Sequence, residues 1–311
     1  MWVDIISFLL CLVFVLAGVA FYTLFERKGL SYSQRRKGPN KVSLKGLPQP
    51  LADAIKLFVK EYFIPMKAGA MEFIMGPFFM LFLALMMWWP VPFSGNGSIM
   101  EFSIIFFMCV SSLGVYSIFL MGWASNSKYA VFGAMRAVAQ VISYEVVIVL
   151  LVIGPILLVS SMNLFYLSKF GLWFGGVFFV YPFIWFFTCL AETNRSPFDF
   201  VEGESELVSG FNVEYGGVGF AMIFMAEYAN IIFISLISAL LFCGGSSFLL
   251  FNINSGIGAM KFIIFILAFM FLVVQARASY PRYRYDLLMN LTWKKFLPIC
   301  LGISLIFFSF I

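Results

Sequence analysis

The sequence predicts an all-α, polytopic membrane protein of about eight transmembrane helices, and three observations carry that prediction. Of 311 residues, 62% are hydrophobic and only 11% charged, with a mean hydropathy of +0.99. A soluble domain carries about 25% charged residues. Continuous apolar runs of about twenty residues, enough to cross the ~30 Å hydrocarbon core of a bilayer, recur along the whole chain. Barrel strands would instead alternate apolar and polar over ~10 residues. The basic residues, finally, gather in alternate connections between those runs.

The runs lie at roughly 3–25, 73–93, 102–124, 137–160, 171–190, 218–243, 257–276 and 288–311. The first begins almost at Met1, with neither an Arg-rich presequence nor a cleavage site after it, so it is expected to remain as a membrane helix. The last is the least apolar, and Lys294 and Lys295 must snorkel to the interface. Eight spans put the segments 26–72, 125–136, 191–217 and 277–287 on one face. Those segments hold 16 of the chain's 20 Lys and Arg, which makes that face the inner one and turns both termini outward. No internal repeat is visible, so an inverted-repeat transporter gains no support. The chain reads as one membrane domain, 1–311.

Composition also excludes chemistry. Histidine is absent, which removes the usual ligand of a membrane haem and the commonest proton shuttle. Five cysteines stand singly in apolar runs (Cys11, Cys109, Cys189, Cys243 and Cys300), without the spacing of an iron–sulfur or zinc site. The chain alone has no evident means of holding an electron and no metal site. Proton handling falls to carboxylates, Tyr, Lys and water.

The first inner loop, 26–72, contains PQPLADAIKLFVKEYF at 48–63. Leu51, Ile55, Phe58, Val59, Tyr62 and Phe63 fall within about 140° of helical arc, with Asp53, Lys56, Lys60 and Glu61 opposite. Pro48 and Pro50 suit a helix start. An amphipathic helix near 50–63 would lie in the membrane plane, either as a surface anchor or as the sill of a lateral opening for a lipid-soluble molecule.

Acid is concentrated in one place. Residues 191–215 carry Glu192, Asp199, Glu202, Glu204, Glu206 and Glu214 against the single base Arg195. They are interleaved with Pro197, Phe198, Phe200, Val201, Leu207, Val208 and Phe211, which a merely solvated loop would not need. Two further carboxylates fall inside spans. Glu145 lies nine residues beyond Arg136, roughly 13 Å deep at 1.5 Å per residue, and Glu227 lies at similar depth with Tyr228 beside it. A charge at mid-bilayer costs at least ~2.5–3.5 kcal/mol, so each must face protein interior or water. Either they are protonated structural groups, or with the acidic loop they form a chain that carries protons between carboxyls and waters. Gln140 and Tyr144 share a helical face with Arg136, while Glu145 points the other way.

Six stretches together resemble one family: FERKGLSYSQRRKGPNKV (25–42), PQPLADAIKLF (48–58), GWASNSKYAVFGAMRAVAQVISYE (122–145), LAETNRSPFDFVEGESELVSGFNVEY (190–215), FMAEYANI (224–231) and YPRYRYDLLM (280–289). In matching order over about residues 20–298, they are similar to the chain 1 family of NADH–ubiquinone oxidoreductase, the membrane subunits at the heel of respiratory complex I. Short loops and 41 Phe resemble a mitochondrially encoded member, which implies the mitochondrial inner membrane.

The resemblance implies a subunit of a proton-pumping enzyme in which this chain binds no cofactor and holds no catalytic residue of its own. Flavin and iron–sulfur clusters would sit in partner subunits, and ubiquinone would be the substrate. The partners implied are the hydrophilic subunits of the quinone site, neighbouring membrane-arm subunits and the lipid bilayer, not nucleic acid. Glu26, Arg27 and Arg36 match the family's charged collar at the quinone entry, Asp53 lies on the sill helix, and Phe224 and Met225 match the tunnel wall. Glu145, Glu192, Asp199, Glu202, Glu204, Glu206, Glu214, Glu227 and Tyr228 would form the proton relay. Arg136, Arg195, Arg277, Arg282 and Arg284 would set its field. The rival readings are the membrane anchor of a proton-pumping hydrogenase, a free-standing ion transporter and a purely structural scaffold.

Overall fold

The computed structural model describes residues 2–91, 100–169, 180–200, 203, 208, 210–244 and 255–309. Every regular element among them is helical. In chain order these are α1 (Trp2–Ser33), α2 (Gln49–Val59), α3 (Ala70–Met86), α4 (Ser103–Ala124), α5 (Lys128–Val159), α6 (Leu164–Lys169), α7 (Val180–Glu192), α8 (Gly217–Phe242) and α9 (Ser255–Ser279). Then α10 (Tyr285–Leu291) runs through a π-helical turn at Thr292–Phe296 into α11 (Leu297–Ser309). Among the described residues, six stretches are long and apolar enough to cross a membrane: α1, α4, α5, α8, α9 and the joined α10–α11. The shorter apolar helices α3 and α7 stand at the second and fifth predicted runs, residues 171–179 of the latter lying outside the described residues.

The helices overrun the hydrocarbon boundaries. Glu26, Arg27 and Lys28 are not in a loop but in the continuing α1, and Arg136 lies on α5, eight residues after its start at Lys128. Hydropathy marks where hydrocarbon ends, not where the helix does, and Arg, Lys and Glu are good helix formers. At 1.5 Å per residue, α1 is roughly 48 Å long.

In the membrane, apolar side chains gain little by leaving lipid, so close packing holds the bundle together. α3, α4 and α5 pack in succession; α8 lies against α3, with α1 and α9 on its far flank; α7 and α11 close on α5. Small residues set the closest approaches. A Cβ on Gly122 of α4 would fall 2.2 Å from the Cβ of Ala134 on α5. Gly133 of α5 meets backbone instead, since its Cβ would lie 2.9 Å from Gly210 Cα and 3.0 Å from Phe211 N. Backbone cannot rotate aside, so Gly133→Ala should push the 210–212 turn off α5 at a cost of about 1–3 kcal/mol. A lower thermal-denaturation temperature of the assembled enzyme would register it, and an unchanged one would contradict the contact.

The four base-rich connections meet at one end of the bundle. Gly69 N–H donates to Ala124 O at 3.1 Å, Asn126 Nδ2 to Lys67 O at 3.0 Å, and Tyr283 N–H to Pro197 O at 3.0 Å. At the opposite end, Ile104 N–H donates to Met162 O and Leu164 N–H to Ser103 Oγ. At the base-rich end α2 starts after Pro48, with Pro50 in its first turn, and has no buried residue. Leu51, Ile55, Phe58 and Val59 all stand exposed, an apolar face that nothing among the described residues covers.

Candidate functional site

Two polar clusters lie side by side at this end, and α8 and the turn 191–198 contribute to both. The first is built around Glu26 of α1, which is 5% exposed. Its carboxylate accepts from the guanidinium of Arg277 on α9 and from the hydroxyl of Tyr228 on α8. Arg195 of the turn, 7% exposed, approaches it to 3.5 Å and lies over the Tyr228 ring at 4.5 Å from the centroid. The ring of Tyr22 meets that of Tyr228 edge-on at 5.6 Å. Two guanidinium groups and a phenol thus share one buried carboxylate, the pairing that makes a buried charge tolerable.

The second cluster borders a cavity of about 60 Å³ lined by α3, α4, α5, α8 and the turn. Glu192, Thr193, Asn194, Glu227 and Asn230 line it, with Ser111 and Ser117 on the α4 side. The buried carboxamide oxygens of Asn194 and Asn230 find no protein donor. The space is large enough for water, which needs only about 10–15 Å³ of it, and these side chains offer the two to four polar partners that a buried water requires. Glu145 on α5 is near enough for its charge to act on Glu192. Its other side opens on an apolar groove between α4 and α5 lined by Ile105, Met108, Ile142 and Val149. Glu227 of α8 and Glu192 thus share the cavity, while Glu145 of α5 lines the neighbouring groove.

A family model described as NADH dehydrogenase matches residues 6–308. NADH-ubiquinone oxidoreductase chain 1 of Heterololigo bleekeri is 52% identical over 305 residues, covering 97% of this chain and 96% of the relative. The proteins of the same name from Branchiostoma lanceolatum (47%; 99% and 96% covered) and Anopheles gambiae (46%; 96% and 93% covered) are similar over the same extent. The chain belongs to the NADH-ubiquinone oxidoreductase chain 1 family. It is therefore a multi-pass subunit of NADH:ubiquinone oxidoreductase, complex I of the mitochondrial inner membrane, and not a hydrogenase anchor or a lone transporter.

The other predicted residues of this chain 1 protein fall around the two clusters. Arg27 and Asp53 form an ion pair that ties α1 to α2, and Gln49 also donates to Asp53, at 2.9 Å. Arg36 stands apart on the exposed turn after α1, bonded to Gln34. Phe224 packs on Phe220 and reaches Tyr228, with Met225 partly buried beside it. Tyr228, expected in the relay, is in the Glu26 cluster instead: neighbours on a helix point about 100° apart, so Glu227 faces the cavity and Tyr228 does not. Asp199 is buried against Arg282 at 3.3 Å, and neither it nor Glu214 lines the cavity. Arg284 pairs with Asp286 in solvent; Arg136 is half-buried on α5. Glu202, Glu204 and Glu206 lie outside the described residues.

Outside the spans, burial pushes the phenols of Tyr62 and Tyr215 above their ordinary range, with Tyr62 adding to the rise at Tyr215. Both keep their protons at neutral pH, so neither supplies a phenolate. Asn194 and Asn230 escaped the sequence reading. Asn230, three residues after Glu227 and so on the same helical face, carried the signal that could have found it.

Proposed function

We propose that this chain forms part of the chamber through which ubiquinone reaches its reduction site, and that it passes the resulting protonation change sideways through its carboxylates toward the pumping subunits. Electrons arrive from flavin and iron–sulfur clusters of partner subunits, and the base-rich end faces those hydrophilic partners. The apolar face of α2, with Arg27–Asp53 behind it, forms the sill where the quinone leaves the bilayer. Phe224 and Met225 line the passage beside the Glu26 cluster.

Reduction of the quinone adds negative charge and draws protons. Charge arriving beside Arg277 and Arg195 competes with Glu26 for their guanidinium groups. Arg195 belongs to the same short turn as Glu192, and Tyr228 neighbours Glu227, so a shift in the first cluster is felt in the second. Carboxyl groups this close titrate as a set, a proton gained by one changing the affinity of its neighbours. Protons then hop between Glu227, cavity water, Glu192 and Glu145. The observation that carries this reading is the water-sized cavity that Glu192 and Glu227 both line. Its test is the number of protons moved per electron in the assembled enzyme carrying Glu227→Gln. The ratio should fall while quinone is still reduced, and an unchanged ratio would refute the relay.

A further inference from the structure

Gln140 is fully buried on α5, five residues before Glu145. Its Nε2 donates twice, to Ala191 O at 2.8 Å and to Phe198 O at 2.9 Å. A primary carboxamide has two N–H groups, and here both are used. The flipped orientation would set the amide oxygen against two carbonyl oxygens, so only one orientation fits. The two carbonyls bracket the segment 192–197, one immediately before Glu192 and the other immediately before Asp199.

Between those anchors the chain turns tightly. Arg195 N–H bonds Leu190 O at 3.0 Å, Phe198 N–H bonds Arg195 O at 2.9 Å, and Asn194 takes a left-handed φ of 50°. Phe198, 1% exposed, is wedged between the rings of Tyr144 and Tyr283. This turn presents Glu192 to the water cavity and Arg195 to Glu26. A neutral double donor suits such a site. Each carbonyl also accepts a backbone N–H, from Asn194 at 3.3 Å and from Phe200 at 3.1 Å. An apolar side chain would therefore take from each its second donor and the tie to α5, and a carboxylate would repel both.

We infer that Gln140 is a positioning residue for coupling: its two amide hydrogens hold Glu192 in the cavity and Arg195 on Glu26 at once, so the two clusters keep a fixed spacing. The inference rests on the relay reading above. Gln140→Met keeps the side chain's length and removes both donors. In the assembled enzyme, NADH oxidation by an artificial acceptor that bypasses ubiquinone should be unchanged, because the electron-carrying subunits are untouched. Protons moved per electron should fall, and proton-coupled quinone turnover should drop by about tenfold or more, as small displacements of positioned groups do. A residue that only aids folding would lower the yield of enzyme without moving that ratio.

Glu227→Gln, assayed alongside, separates the two ideas. Loss of pumping in both variants bears out both, and loss in Gln140→Met alone keeps the positioning role while removing Glu227 from the relay. Loss in Glu227→Gln alone overturns the positioning role only, and loss in neither overturns both. Should Gln140→Met not assemble, structures of the unmodified complex with and without quinone decide the matter. Both amide bonds kept in both states support the inference, and both broken in either state overturn it.

Discussion

In the assembled enzyme, Glu227→Gln should slow the proton-coupled part of turnover by roughly 10²–10⁴-fold, the loss expected when a proton-transferring side chain is removed. The substitution conserves volume, and Glu227 lines a polar cavity, so stability should change by less than about 1.5 kcal/mol. A coupling defect without an assembly defect is the signature. Adding Glu192→Gln should reduce the ratio of protons to electrons little further, because members of one path act as a unit and losses within a unit do not add. Acidification measured in vesicles against quinol formed gives both numbers. If the double variant were worse than either single in proportion, the two carboxylates would serve separate paths.

Glu26→Ala should be the most destabilising single change at the base-rich end. It takes from Arg195 and Arg277 the carboxylate they share and leaves guanidinium charge in a site where Glu26 itself is 5% exposed. Removing one partner of a buried ion pair costs about 3–5 kcal/mol, read as a fall in thermal stability. Salt should barely modulate the loss, since buried pairs are weakly screened. Asp286→Ala is the matched control. Its pair with Arg284 is solvent-exposed on both sides, and surface pairs are worth about 0–1 kcal/mol. Because Tyr228 and Arg195 also belong to the Glu26 cluster, Glu26→Ala should raise the quinone KM as well, by loosening the wall beside Phe224.

Six of the apolar runs were legible because each lies on one helix long enough to span hydrocarbon. α2 was legible as far as Val59 because Leu51, Ile55, Phe58 and Val59 recur at helical spacing, whereas Tyr62 and Phe63, read on the same arc, follow its end at the extended Lys60. Glu26 was not legible as a buried residue. Its partners stand 169 and 251 positions away, at Arg195 and Arg277, and a single sequence carries no trace of such pairings. Read locally, a charged triplet at 26–28 looks like the start of a loop. Glu227 and Tyr228, adjacent in sequence, were assigned to one relay, whereas helical geometry sends them to different clusters. The water cavity escaped for a related reason: its walls come from α3, α4, α5, α8 and the turn, and its polar lining exists only once those five elements pack. Gln140 could be seen as a buried polar residue on the Arg136 face, but its carbonyl partners lie on a connection 51 and 58 residues further along.

The most direct test of the whole account is a structure of the assembled complex at a resolution that shows ordered solvent. The account predicts water between the carboxylates of Glu192 and Glu227, bonded also to the carboxamide oxygens of Asn194 and Asn230. Hydrocarbon filling that space, with no solvent between the two acids whether quinone is bound or absent, would contradict it.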